Sequence, residues 1–320
     1  MSFVRAAIVA GLGTLAIAAP ASAAPLTTAE ILNQFNLVAF GNLTGSSEVE
    51  GRMLVGGNIA GNSMTFFTRP AQTPASAYAA VTVGGNISGG WKNLNGGGSA
   101  VVGGNAQNVN LNGGGTLRAG GNVTNVNGGS VQQHQAVTIP NFEAQLKASS
   151  AALAALSGVA PGTSGNRALF NGATPTAGLS VYTTNLAFFS LINEILLALN
   201  GADTVIINVA GTSATLSDNF LGGPFAAATN VVWNFYEATS LTFATQFFGS
   251  VLAPYANVTL TSPIEGTLVA NNVTLNGEMH LRPFAGTLPD QPMAVPAPAA
   301  LPLFLAGLAG LAVVARRRRA

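Results

Sequence analysis

Five ionisable side chains sit where charge recognition or proton transfer is conceivable. Glu50 and Arg52 lie in Glu48-Val49-Glu50-Gly51-Arg52, Glu265 in Ile264-Glu265-Gly266, and Glu278 and His280 in Gly277-Glu278-Met279-His280. Residues two apart share a face of an extended chain, so Glu48, Glu50 and Arg52 align, as do Glu278 and His280. If the two halves of the chain meet in space, Glu50, Arg52, Glu265, Glu278 and His280 form one polar cluster. Carboxylates for calcium plus a basic residue for proton abstraction are what a polysaccharide lyase requires. The plainer expectation is structural: Glu50 and Arg52 pair to close a coil, and Glu278 and His280 hydrogen-bond loop backbone. Neither a catalytic, a cofactor nor a metal site is expected, and His134 stands alone. The sequence holds no H-E-x-x-H, G-x-S-x-G or P-loop spacing. Without cysteine it has no disulfide, thiol nucleophile or thiolate zinc site.

The elements that would bring these groups together are written as a repeat. Gly56-Gly57-Asn58, Gly84-Gly85-Asn86, Gly103-Gly104-Asn105 and Gly120-Gly121-Asn122 recur at intervals of 28, 19 and 17 residues. That spacing suits one coil of a β-solenoid. Each glycine pair is expected to turn a corner at positive φ, with its asparagine stacked on the next. Between corners the pattern alternates, as in Asn108-Val109-Asn110-Leu111-Asn112, which sends aliphatics inward and amides outward. A second block follows in Thr204-Val205-Ile206-Ile207-Asn208-Val209, then in Gly249-Ser250-Val251-Leu252-Ala253 and Gly266-Thr267-Leu268-Val269-Ala270, 17 residues apart. Glycine pairs this widely spaced do not suit a β-sandwich, and recurrent aliphatics do not suit disorder.

Between the blocks, residues 141–156 carry Phe142, Leu146, Leu153 and Leu156 behind Pro140, an amphipathic helix expected to stop at Gly158. Residues 187–199 suit either a short helix or a buried strand. The fold expected is thus mainly β: a right-handed, discontinuous parallel β-helix over residues 24–290, with one accompanying helix inserted at about 141–157.

Both termini read as addresses. Residues 1–23 combine Arg5, an apolar run and Ala21-Ser22-Ala23, a signal peptide cleaved before Ala24. Residues 291–320 form an anchor segment whose uncharged stretch of 17 residues, 299–315, precedes four arginines. At about 1.5 Å per residue it is a short membrane-spanning helix with its arginines cytoplasmic. Before it, Val295-Pro296-Ala297-Pro298-Ala299 is extended by its prolines. Motif, span and arginines resemble the VPLPA variety of PEP-CTERM sorting signals, with Ala297 in place of the usual leucine. The resemblance implies a Gram-negative cell surface and an exosortase-like membrane protease as partner.

The composition fits export: 48% hydrophobic, only 7% charged, with 39 glycines. Removing Arg5 and the four terminal arginines from the 12 basic residues leaves seven against 11 acidic ones. A mildly acidic body without a basic cluster excludes nucleic acid as a partner. The run from Phe35 to Asn42 leading to Val49-Glu50-Gly51-Arg52-Met53-Leu54-Val55-Gly56-Gly57-Asn58, with the closing segments around Pro254, Glu265 and His280, resembles the choice-of-anchor A family over about 26–284. The resemblance implies a β-helical adhesive domain displayed on bacteria. A surface adhesin or biofilm matrix protein is therefore expected, with a polysaccharide lyase or an ice-binding protein as alternatives. Outward Asn and Thr would hydrogen-bond sugars or ice, and Trp91, Trp233, Tyr236 and Tyr255 either stack on pyranose rings or fill the core. An ice-binding face needs a flat rank of threonines on successive coils, and Thr259, Thr261 and Thr274 are too few to define one.

Overall fold

The computed structural model describes residues 26–289. The leader 1–23, the 295–299 motif and the span expected at 299–315 lie outside these residues. Among the described residues no helix is long and apolar enough to cross a membrane.

The body is a solenoid of parallel strands in two blocks, as the repeats indicate. Along the 14-stranded sheet the order runs Ser130–Gln132, Thr116–Ala119, Ala100–Val102, Val81–Val83, Met53–Val55, Leu37–Ala39, Leu268–Leu275, Ser250–Leu260, Val231–Asn234, Thr204–Ala210, Leu179–Asn185. The first block winds away from Leu37–Ala39 and the second winds back to it. Leu37 pairs with Met53 on one side and with Leu268 on the other, so the first coil stacks on the last. An 8-stranded sheet closes a second side, placing Glu48–Val49 beside Met279–His280 and then Ile264–Glu265. A 4-stranded sheet, with one antiparallel hairpin between Gly162–Ser164 and Arg167–Phe170, belongs to the second block.

Period-two alternation builds the core. Leu37, Met53, Val81, Ala100 and Leu117 stack in register and are buried. Outward residues of the same sheet, Val38, Leu54, Ile206, Val232, Leu252 and Val269, are apolar because two helices lie on them. These are α1 (Thr28–Gln34) and α2 (Glu143–Ala154). The second is the expected insert and carries the chain from the end of one block to the far end of the other. Its buried stripe holds Leu146 and Leu153 but also Ser149 and Ser150. Ser149 bonds Thr28 Oγ1 (2.6 Å), and Ser150 donates to Asn234 Oδ1 (2.6 Å). The first helix was not anticipated, although Thr27 and Glu30 form its reciprocal capping box, a signature readable as T-x-x-E. The undecided stretch 187–199 is both things: one helical turn, α3 (Leu186–Phe189), then the strand Glu194–Leu197.

The corners require glycine for a reason other than the one expected. None of the eight glycines in the four Gly-Gly-Asn corners has a left-handed φ. Instead a Cβ on Gly56, Gly84, Gly103 or Gly120 would lie 2.0–2.2 Å from a carbonyl oxygen of the adjacent coil. The backbones approach more closely than any side chain permits.

Lys92 occupies an inward position between Met64 and Val109 and is 1% exposed. Its ammonium donates to Asn62 O (2.8 Å) and Gly90 O (2.6 Å). Burial pulls its pKa from 10.5 down to about 8. Between these values the unfolded chain holds the proton and the folded one does not, so stability rises with pH there, by about 1–3 kcal/mol. Urea melts of Lys92→Met across this range are expected to lack the rise.

Candidate functional site

Beyond each Gly-Gly-Asn corner the chain enters a side of the solenoid that the helices do not cover. Its register aligns Thr215 with Thr242, Thr242 with Thr259, Thr259 with Thr274, and Thr274 with Thr44. Two residues earlier on each strand, Ser213, Ser240, Asn257 and Asn272 align in the same way. The column continues through hydrogen bonds: Asn42 N–H donates to Asn272 Oδ1 (2.7 Å), and Asn58, Asn86, Asn105 and Asn122 each donate N–H to the preceding asparagine Oδ1 at 2.8 Å. The expected asparagine stack thus exists and runs unbroken across the joint between blocks.

Five consecutive coils therefore read Ser/Asn-x-Thr, with the residue between (Ala214, Leu241, Val258, Val273, Leu43) packed in or against the core. All five threonines are exposed or half-exposed. Strands about 4.8 Å apart and alternate residues about 6.6 Å apart make this a regular two-dimensional array of hydroxyls and amides. β-Branching holds each threonine near one rotamer. In the first block the face continues as Ser88, Gln107 and Thr124 beside the asparagine stack, lining a groove of about 450 Å³. Thr259 and Thr274 are members of this rank. Thr44, Thr215 and Thr242 were missed because only the register shows that they share the column.

The polar cluster is the second site. Glu50 accepts from Arg69 Nε (3.0 Å) and Leu281 N–H (2.8 Å). Glu265, with its side chain 4% exposed, accepts from Gln246 Nε2 (2.8 Å) and Arg282 Nε (3.2 Å) and faces His280 Nδ1 at 2.5 Å. His280 Nε2 faces Glu278 Oε2 at 2.8 Å. Three of the five predicted members, Glu50, Glu265 and His280, line a cleft of about 180 Å³ together with Arg69, Gln72 and Arg282, and Glu278 joins them through His280. Arg52 does not join them and does not pair with Glu50. The chain corners at Gly51, where Asn36 and Leu281 leave no room for a Cβ, and this breaks the alternation. Arg52 points the other way and donates to Gln34 O (2.8 Å), Pro74 O (3.1 Å) and Tyr78 O (3.1 Å), tying α1 to the first coil. Arg282 was findable, two residues past His280 on the same alternation. Arg69, in an irregular segment, carried no signal.

Both His280 nitrogens face carboxylates, an arrangement that favours the imidazolium, in which both nitrogens donate. Burial alone would lower its pKa, but its hydrogen bonds to Glu265 and Glu278 and the charges of Glu265 and Glu50 outweigh burial and hold it above the usual imidazole value. The cluster joins first coil to last: Glu50 comes from one end of the domain sequence, and Glu265, Glu278 and His280 from the other.

Of the aromatics, Trp233 is fully buried and donates Nε1–H to Phe248 O (2.8 Å), so it is core and not a sugar platform. Tyr255 is exposed but holds Lys147 of α2 over its ring at 4.9 Å. Tyr236 is half-buried and Trp91 borderline exposed.

A family model described as "Putative Ice-binding-like adhesive domain" matches residues 28–281. The chain belongs to this family. A crystal structure of an ice binding protein from an Antarctic bacterium Flavobacteriaceae is similar to this ice-binding-like adhesive domain at 12% identity, covering 78% of this chain and 82% of that one, with a TM-score of 0.27. No curated protein sequence matches the adhesive domain. The family match, 28–281, ends one residue past His280 and so takes in the whole rank of threonines and all four members of the seam cluster.

Proposed function

We propose that this protein is an exported, surface-displayed adhesin or biofilm matrix component of a Gram-negative bacterium, and no enzyme. Residues 1–23 direct export, and residues 291–320 hold the chain, at least transiently, in a membrane as substrate of an exosortase-like protease in the choice-of-anchor A manner. The observation that carries the adhesive reading is the uncovered Ser/Asn-x-Thr face, with five threonines in register on five coils. A rigid hydroxyl array of that regularity matches a repetitive partner such as a polysaccharide surface. The seam cluster supports a non-catalytic role, since Glu50, Glu265 and Glu278 are each held by partners of the same cluster. A purified chain that releases new reducing or unsaturated ends from polysaccharides with calcium would overturn that role.

Replacing Thr259 and Thr274 together with tyrosine, in cells displaying the full chain, is expected to cut attachment about tenfold. Thr163→Tyr, on the hairpin away from this face, is the matched control. Attachment unchanged by the face variant would sink the reading. Ice binding is the second reading, favoured by the same rank of threonines, and thermal hysteresis abolished by that variant would support it. The mass of the surface-borne protein reports on the anchor: a chain ending before Ala299 has been sorted, one that includes Arg319 is simply embedded.

A further inference from the structure

The two ends of the solenoid differ. At the second block's end, Leu179–Asn185 is covered: Val159 donates N–H to Val181 O (3.0 Å) and accepts from Thr183 N–H (2.9 Å), and the hairpin of Gly162–Ser164 follows directly. At the first block's end, among the described residues, Ser130–Gln132 pairs only with Thr116–Ala119, and Val123–Asn127 pairs only with Ala106–Leu111. The segment after Gln132 covers the corner, with Gln135 N–H on Ala119 O (2.9 Å), and leaves Ser130–Gln132 exposed throughout. Ser130 donates its N–H inward to Gly115 O (3.0 Å), so the N–H of Val131 points out of the sheet edge. Val131 itself is 44% exposed. Asn125 and Asn127 give their amides back to Asn108 (3.0 Å) and Asn110 (2.8 Å), the same kind of side-chain carbonyl that Asn110 and Asn112 use on Asn93 and Asn95.

The path of the chain orients this end. After the last coil it runs back along the second block, with Phe284 buried against α1, Ala285 N–H on Thr229 O (2.7 Å) and Thr287 N–H on Thr204 Oγ1 (2.8 Å). Thr287 therefore lies beside Thr204–Ala210, next to the covered end. If residues beyond it hold the protein to a surface, the uncovered end points away from that surface.

We infer that the uncovered end is a homophilic contact, in which a second copy on a facing cell meets it tip to tip and Ser130–Gln132 pairs antiparallel with its own counterpart. This rests on the adhesive, anchored reading above. An unpaired strand edge is a template for another strand, and the bridge at Val159 with the antiparallel hairpin that follows it makes the opposite end a poor match for head-to-tail stacking, which favours a two-fold arrangement. Between residues 113 and 139 only Arg118 and His134 are ionisable, so two tips meet with little repulsion while a charged macromolecule finds no complement. Two short strands bury too little for a stable dimer, and affinity comes from many copies engaging together.

The test uses two differently labelled cell populations displaying the full chain, carrying Val131→Lys or Val131→Glu. Under a two-fold axis position 131 meets its own counterpart. Lys-with-Lys and Glu-with-Glu mixtures are expected to lose co-aggregation about tenfold or more, and Lys-with-Glu to regain it. Parental cells that do not co-aggregate, or charge variants that all co-aggregate like the parent, would overturn the inference. Attachment of the same cells to inert and polysaccharide surfaces is read in parallel. It stays at the parental level if the tip alone is altered, and its absence in the parent would overturn the adhesive reading instead.

Discussion

Gly84→Ala is expected to destabilise the domain by about 3 kcal/mol, one of the two largest single-site effects anticipated here. The added Cβ would sit 2.0 Å from Gly56 O, and the backbone on the other side is itself held, with Gly103 N–H on Val83 O at 2.8 Å. Neither coil yields without opening several ladder bonds, so the clash is not relieved by rotating a side chain. Gly84→Asn separates the two explanations for a corner glycine. Asparagine tolerates the left-handed region better than alanine, so it would rescue a φ-driven requirement. Because Gly84 is not left-handed, asparagine is expected to be at least as damaging as alanine. Gly172→Ala, where a Cβ meets nothing within 4 Å, is the control and is expected to change stability by less than about 0.5 kcal/mol. Chemical denaturation of the three variants decides the matter, and a mild Gly84→Ala would mean that the coils are looser than the register implies.

Glu265→Gln is expected to cost about 3 kcal/mol at pH 6 and clearly less at pH 9. The carboxylate is buried and holds His280, Arg282 and Gln246 at the joint between first and last coils. His280 binds its proton more tightly in the folded protein than its ordinary 6.5. A raised folded pKa contributes stability that is fully present below the unfolded value and disappears as pH climbs through the folded one. The parent therefore loses stability on passing from acid through neutral pH, whereas Glu265→Gln, lacking the charge that favours the imidazolium, has a flatter profile. The Lys92 contribution has the opposite sign and begins near pH 8, so the Lys92→Met background isolates the histidine term. Parallel pH profiles for parent and Glu265→Gln would show that the seam is not held by this ion pair.

Much of the scaffold was legible because a solenoid writes its period into the chain. Gly-Gly-Asn corners, alternating aliphatics and the helix near 141–157 are local patterns, and each coil repeats the demand of the one before. The failures are equally physical. The glycines were assigned to left-handed turns because torsion is the usual reason for glycine, whereas the operative cause, a neighbouring carbonyl about 2 Å away, comes from a residue 16 to 28 positions distant. Arg52 was placed with Glu50 by assuming that alternation runs through Gly51, where the chain actually turns. Trp233 carried no local mark of burial, and its place among Phe170, Phe189 and Phe247 depends on three other segments.

The candidate site divides along the same line. Residue types alone determined that outward positions would be Asn, Ser and Thr, since inward ones are taken by aliphatics. Whether those hydroxyls form a rank was decided by register. A bulge between Ala253 and Asn257 changes the offset between coils from the 17 residues of Val251 and Leu268 to the 15 of Thr259 and Thr274, and so brings the threonines into line. Repetition sets the period of the coils, but the order in which coils stack, including the closure of the first on the last, follows from backbone hydrogen bonds and helix packing between segments more than 200 residues apart, which no local pattern encodes.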